Sequence, residues 1–170
     1  MKKLARLTAL LLTGVMLLLL ASCGAAPLTP EQQAKKQIFD ALNEYRASNG
    51  AKAVKEIPEL SKAEQYWVDA FHKAGDYKMP RKDYIPVMEE RQKLIPAEWY
   101  SGSGLGWEYD SATYDYVLLE DTDPSDTAAL MKQFATVRDF RSDSCTAVGI
   151  GVTTIKGKIY WACTMYGPKT

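Results

Sequence analysis

The stretch Thr146-Ala147-Val148-Gly149-Ile150-Gly151-Val152-Thr153-Thr154-Ile155-Lys156-Gly157-Lys158-Ile159-Tyr160-Trp161-Ala162-Cys163-Thr164-Met165-Tyr166 decides the fold. It holds two runs of β-branched and aromatic residues with Lys156-Gly157 between them, which predicts a β-hairpin with those two residues at its tip. Gly149 and Gly151 lie two apart and so share one face of the first strand. A face without side chains lets another element pack close to the backbone.

Upstream, the periodicity is helical. Thr29-Pro30-Glu31-Gln32 opens a first helix: Thr29 caps it, Pro30 suits its first position, and Gln32 can reach back as in a capping box. Ala34, Ile38, Ala41, Leu42 and Tyr45 follow at helical spacing, and Gly50 suits a left-handed C-terminal turn. Ser61 and Glu64 have capping-box spacing ahead of a second helix, whose apolar stripe is Ala63, Tyr66, Trp67, Ala70, Phe71 and Ala74, ended by Gly75. A third, shorter helix is expected from Pro86 through Val87, Met88 and Leu94. Residues 97–112 are rich in Gly, Ser, Trp and Tyr and read as loop. Residues 114–119 read as a strand, and Asp123-Pro124 opens a fourth helix with Leu130, Met131 and Phe134. Helices first and a sheet last predict an α+β fold.

The N-terminus reads differently. Lys2, Lys3 and Arg6 precede an apolar run, LTALLLTGVMLLLLAS, over residues 7–22. This is the pattern of a signal peptide, and the run is shorter than the roughly 20 residues of a spanning helix. Leu20-Ala21-Ser22-Cys23 is similar to a bacterial lipobox, in which the cysteine is acylated and becomes the first mature residue. The expected organisation is a signal peptide at 1–22, a lipidated tether at 23–30 and one domain at 31–170. Loss of residues 1–22 removes Lys2, Lys3 and Arg6, leaving 18 basic against 21 acidic residues, a net charge of −3. That balance gives no electrostatic reason to expect nucleic acid. With Cys23 acylated, Cys145 and Cys163 remain. In an exported chain they either form a disulfide or stay as two separate buried thiols, and the disulfide is the expectation.

Several segments resemble the CAP superfamily (cysteine-rich secretory proteins, antigen 5 and pathogenesis-related 1), also called SCP domains, in its bacterial branch. Leu42-Asn43-Glu44-Tyr45-Arg46-Ala47-Ser48-Asn49-Gly50 is similar to the family's "VNxxRxxxG". Pro58-Glu59-Leu60-Ser61-Lys62-Ala63 is similar to "PELSKAA". Thr146-Ala147-Val148-Gly149-Ile150-Gly151 is similar to "TEIGVG", and the segment from Tyr160 to Gly167 resembles the last strand. The resemblance implies an α-β-α sandwich with a small antiparallel sheet. It also implies a cleft in which two histidines and two acidic residues can hold a divalent metal. The histidines are missing: their places fall on Met79 and near Thr136, with Arg138 in the place of a family arginine. Glu108, in Gly106-Trp107-Glu108-Tyr109, resembles the glutamate of the family's "GEN" motif. A lone carboxylate is a poor ligand set, so no metal and no cofactor is expected.

Other chemistry is sparse. The single histidine, His72, sits near the end of the second helix, where an imidazolium suits the helix dipole. Glu120, Asp121, Asp123 and Asp126 make an acidic run that lacks the glycine and distal glutamate of a calcium loop. Trp99, Tyr100, Trp107, Tyr109, Tyr114 and Tyr116 crowd one region, as in a ligand groove or in the core and rim of a small domain. The reading favoured is a cell-surface lipoprotein with a degenerate CAP-like domain, binding a peptide, glycan or lipid without catalysis. Two rivals stand beside it. One is a hydrolase using a carboxylate cleft around Glu108; the other is a lipid or sterol carrier.

Overall fold

The computed structural model describes residues 27–118 and 123–169. The signal-peptide residues 1–22 and the first half of the tether, Cys23 included, lie outside the described residues, as do Glu120 and Asp121 of the acidic run. The elements are α1 (Pro30–Ser48), β1 (Lys55–Glu56), α2 (Pro58–Ala74), β2 (Lys78–Pro80), α3 (Arg81–Leu94), β3 (Trp99–Leu105), β4 (Trp107–Asp110), β5 (Asp115–Leu118), α4 (Thr127–Ala135), a 3-10 turn (Arg138–Arg141), β6 (Ala147–Ile155) and β7 (Lys158–Pro168). No helix among them is long and apolar enough to cross a membrane.

The hairpin β6–β7 is the centre of the molecule. Ile155 pairs with Lys158, and Lys156 and Gly157 take φ of 51° and 80°, the two left-handed positions that match the turn to the strand twist. β3 adds antiparallel to β7 and β1 adds parallel to β6, giving the order β1-β6-β7-β3. The alternation of the two long strands sorts the layers. Val148, Ile150, Val152, Trp161, Cys163 and Met165 face α1, α4 and the 3-10 turn. Ala147, Ile155, Tyr160, Ala162 and Tyr166 face α2 and its neighbours. The fold is therefore α+β, an α-β-α sandwich around the C-terminal hairpin. A second sheet, β2-β5-β4, closes one side of the α2 layer.

Where α2 crosses β6 there is no room for side chains. A Cβ on Gly149 would stand 2.7 Å from the Leu60 carbonyl oxygen, and one on Gly151 would stand 2.5 Å from the Glu64 carbonyl. The paired glycines thus let a helix backbone lie directly on a strand.

The first helix begins as expected. The Gln32 N–H donates to Thr29 Oγ1 at 3.2 Å and the Thr29 N–H to Gln32 Oε1 at 2.9 Å. Three other expectations are corrected. Helix α2 starts at Pro58, so Ser61 and Glu64 lie inside it, and Ser61 Oγ instead donates to Glu56 and accepts from the Ile150 N–H. Helix α3 starts at Arg81, five residues before Pro86, which sits inside it and removes one helical hydrogen bond. Residues 97–112 are not loop, because β3 and β4 lie there. The glycines that argue against a strand are the ones its neighbours require: a Cβ on Gly104 would be 2.9 Å from Thr164 Oγ1 and one on Gly102 3.0 Å from the Met165 carbonyl.

The disulfide is also corrected: Cys145 and Cys163 are both buried and both free. Cys163 pairs with Ile150 in β6, whereas Cys145 lies ahead of that strand, five residues from Ile150. At about 3.3 Å per residue that is roughly 16 Å, against a Cα separation of at most about 6.8 Å for a disulfide. Burial pushes both thiols above their ordinary range, helped by Asp139 at Cys145 and by Glu64 and Glu56 at Cys163. Neither is a poised nucleophile.

Arg46 ties α1 to the far end of the chain. It is 1% exposed. Its Nε donates to the Lys52 carbonyl at 2.6 Å, Nη1 to Phe140 at 3.0 Å, and Nη2 to Ser142 and Cys145 at 3.1 and 3.3 Å. Burial lowers its pKa, opposed by Asp143, whose carboxylate lies 3.7 Å away. One planar fork serves four carbonyls, which a lysine ammonium cannot copy. Arg46→Lys should cost about 2–3 kcal/mol in chemical denaturation; a loss under about 0.5 kcal/mol would show that the fork does not matter.

Candidate functional site

The residues named for a family-type cleft do not converge. Met79, in β2, is buried against α2 and pairs with Tyr116. Glu108 is exposed on β4 and pairs with Val117, one position along, so its side chain leaves the opposite face of that sheet. Thr136 and Arg138 are exposed at the end of α4 and in the 3-10 turn, in the other helical layer. Thr136 Oγ1 donates to the Gln133 carbonyl at 2.7 Å.

The register brings Asp110 and Asp115 onto the same face as Glu108. Asp110 is committed elsewhere: it accepts from the N–H groups of Ala112 and Thr113 at 2.9 and 3.3 Å, which lowers its pKa. It holds the β4–β5 turn as a carboxylate and is not tuned as an acid. Among the described residues no group of three His, Cys, Asp or Glu side chains could hold a metal ion. His72 is exposed in the last turn of α2, its Nδ1 2.8 Å from the Thr154 carbonyl. Of the acidic run, Asp123 accepts from the Ser125 N–H and Asp126 caps α4 through the Ala129 N–H.

The aromatic crowd divides in two. Trp107 packs edge-on to Trp67 with ring centres 5.0 Å apart, and Tyr116 stacks on Tyr84 at 3.4 Å. Those rings are core. Tyr100 and Tyr109 are 38% and 39% exposed, and Tyr114 is 63% exposed.

Tyr100 lines a hollow. It pairs with Gly167 across β3–β7, and its ring covers that glycine so closely that a Cβ there would be 2.3 Å from ring atoms. An aromatic ring laid over a cross-strand glycine is held in place by the backbone beneath it. Around it, Asp143, Ser144, Thr146, Pro168 and Lys169 complete a hollow of about 650 Å³. The Lys52 N–H fixes Asp143 at 2.9 Å, and Ser142 and Ser144 exchange a hydrogen bond at 2.7 Å. The site offers one aromatic floor with a carboxylate, hydroxyls and an ammonium at its rim. Two smaller hollows flank Tyr66 between α2 and α3, the larger one, about 370 Å³, touching Met79 and Val87.

Sequence reasoning missed the strongest buried charge. Glu64 is fully buried, with Arg91 Nη2 on its Oε1 at 2.5 Å and the Tyr166 hydroxyl donating to the same oxygen. Arg91 Nη2 also reaches Tyr166 Oη at 3.1 Å and Thr164 Oγ1 at 3.4 Å. Burial is the largest influence and works against the guanidinium, but the charge and hydrogen bond of Glu64 together with Tyr166 and Tyr84 outweigh it and raise its pKa. The partners stand 27 and 102 residues from Glu64, so no local pattern announces them.

No protein-family model and no curated protein matches this sequence.

Proposed function

We propose that this chain is an extracytoplasmic lipoprotein, acylated on Cys23, whose CAP-like domain binds a glycan strand in the hollow over Tyr100. The observation that supports this is the seating of Tyr100. A sugar ring presents an apolar face and a polar edge, and it is bound by a fixed aromatic ring beside carboxylate, hydroxyl and ammonium groups. Tyr100 is fixed on Gly167, and Asp143, Ser144 and Lys169 lie around it. The rings that a lipid groove would need, Trp107 and Tyr116, are spent on core packing. A hydrolase at Glu108 gains little support, since that carboxylate is exposed and the nearby Asp110 is committed to its own turn.

Two experiments test the proposal. In a bacterial host, alkyne-palmitate should label the chain and the label should follow the membrane fraction. Cys23→Ser should abolish both, and a variant still in the membrane would remove the anchor from the reading. For the ligand, solubilised cell-wall glycan strands should bind the domain from residue 27 onward in calorimetry. Tyr100→Ala should weaken that binding at least about tenfold, equivalent to about 1.4 kcal/mol, while Tyr109→Ala leaves it unchanged. Equal affinities for the parent and Tyr100→Ala would refute the site.

A further inference from the structure

Three elements meet at one end of the domain. In the first turn of α1, Glu31 accepts a hydrogen bond from the Thr154 hydroxyl. In the last turn of α2, His72 places Nδ1 2.8 Å from the Thr154 carbonyl. At the hairpin tip, Lys156 reaches the Asp76 carboxylate, just past α2, at 3.3 Å. The start of α1, the end of α2 and the β6–β7 tip are therefore neighbours. The tether joins the fold at this end, with Leu28 exposed.

The hollow over Tyr100 lies at the other end. Thr146, in its lining, directly precedes β6, and Tyr100 pairs with Gly167 near the end of β7. Arg46, near the end of α1, bonds the Ser142 and Cys145 carbonyls beside it. The nine residues of β6 run from one end to the other, a length of about 26 Å at about 3.3 Å per step. The nineteen residues of α1 span the same interval, about 28 Å at 1.5 Å each.

The tether end is also basic. Lys73, Lys78 and Lys156 are exposed there. The carboxylates beside them are engaged, Glu31 by the Thr154 hydroxyl and Asp76 by Lys156 and by the Lys78 N–H at 3.1 Å. A lysine ammonium meets a phosphate as a point charge, and basic residues held close to a bilayer are drawn to its anionic headgroups. Cys23 stands four residues before Pro27, a reach of at most about 14 Å.

We infer that the end of the domain carrying Lys73, Lys78 and Lys156 is a docking face for phospholipid headgroups, and that docking aims the Tyr100 hollow away from the bilayer, toward the cell wall. The occupant of this face is argued from its charge and from the short run of chain between it and the acylated residue. The inference rests on the acylation of Cys23 proposed above.

The acylated chain, added to preformed vesicles of phosphatidylglycerol and phosphatidylethanolamine that carry a nitroxide on some headgroups, tests this. Gln33→Cys, exposed in the first turn of α1, and Lys52→Cys, exposed beside Asp143, each take a fluorescent thiol label, since Cys145 and Cys163 are buried. The label at 33 should lose most of its fluorescence, and the label at 52 should keep it. On the unaltered chain in the same vesicles, an amine reagent that does not cross the bilayer should acetylate Lys52 and Lys169 several-fold faster than Lys73 and Lys156. Equal quenching at 33 and 52, or equal acetylation of the two pairs, on a chain that floats with the vesicles would overturn the docking face and leave the anchor standing. A chain that does not float with the vesicles would overturn both. The acetylation pattern decides even where a cysteine variant does not fold.

Discussion

Gly151→Val should abolish cooperative folding. The new Cβ would sit 2.5 Å from the carbonyl carbon and oxygen of Glu64 and 2.8 Å from the Gln65 nitrogen. All three are backbone atoms, so no rotamer change relieves the clash. Overpacking a core ordinarily costs about 1–3 kcal/mol because side chains can adjust. Here α2 must lift from β6, and Trp67, Val68 and Phe71, all buried on that helix, lose contact with it. Each large side chain so exposed costs about 1.5–3 kcal/mol. The expected loss is above about 4 kcal/mol, a large share of the 5–15 kcal/mol of an ordinary domain. Urea denaturation followed by circular dichroism checks it. A cooperative transition within about 1 kcal/mol of the parent would mean that α2 does not rest on the strand backbone.

The second large effect concerns the buried pair. Arg91→Met should cost about 3–5 kcal/mol, because it strands the Glu64 carboxylate in a site with no exposure. Glu64→Met should cost a similar amount by stranding the guanidinium. The double variant should recover most of the loss, since two apolar side chains of similar volume need no solvation. A double-mutant cycle would therefore return a coupling of at least about 4 kcal/mol. Additive losses in the double variant would show that Glu64 and Arg91 act through separate neighbours.

The two glycines beneath the first of these effects were legible in the sequence, because spacing of two on a β-branched run states a shared face. The hairpin tip, the Thr29 cap and the α+β class were legible for the same reason: each depends on residues a few positions apart. Glu64 was misread on equally local grounds. Ser61 and Glu64 have the right spacing for a capping box, but Pro58 starts the helix one turn earlier and carries Glu64 into the core. Its true partners come from α3 and β7, a tertiary fact. The third helix was misplaced because Pro86 reads as a first residue, although an exposed face tolerates one missing hydrogen bond. Residues 99–105 read as loop because glycine disfavours strands in general, whereas beside β7 the absence of side chains is what lets the strand dock.

The candidate site was the least legible part. Met79, Glu108, Thr136 and Arg138 were assembled by analogy, and the fold distributes them over two sheet faces and two helical layers. Tyr100 stood among six aromatic residues with nothing to single it out, because its distinction lies in a partner, Gly167, found across the ladder.

The hairpin β6–β7 is the layer on which both sets of helices rest. Until β7 is paired, α1 and α2 have no common surface to bury against, and the Arg46 and Glu64 contacts, spanning up to 99 and 102 residues, cannot close. The chain must therefore close its longest loops before either helical layer is rewarded, and its folding rate is set by those closures more than by helix formation.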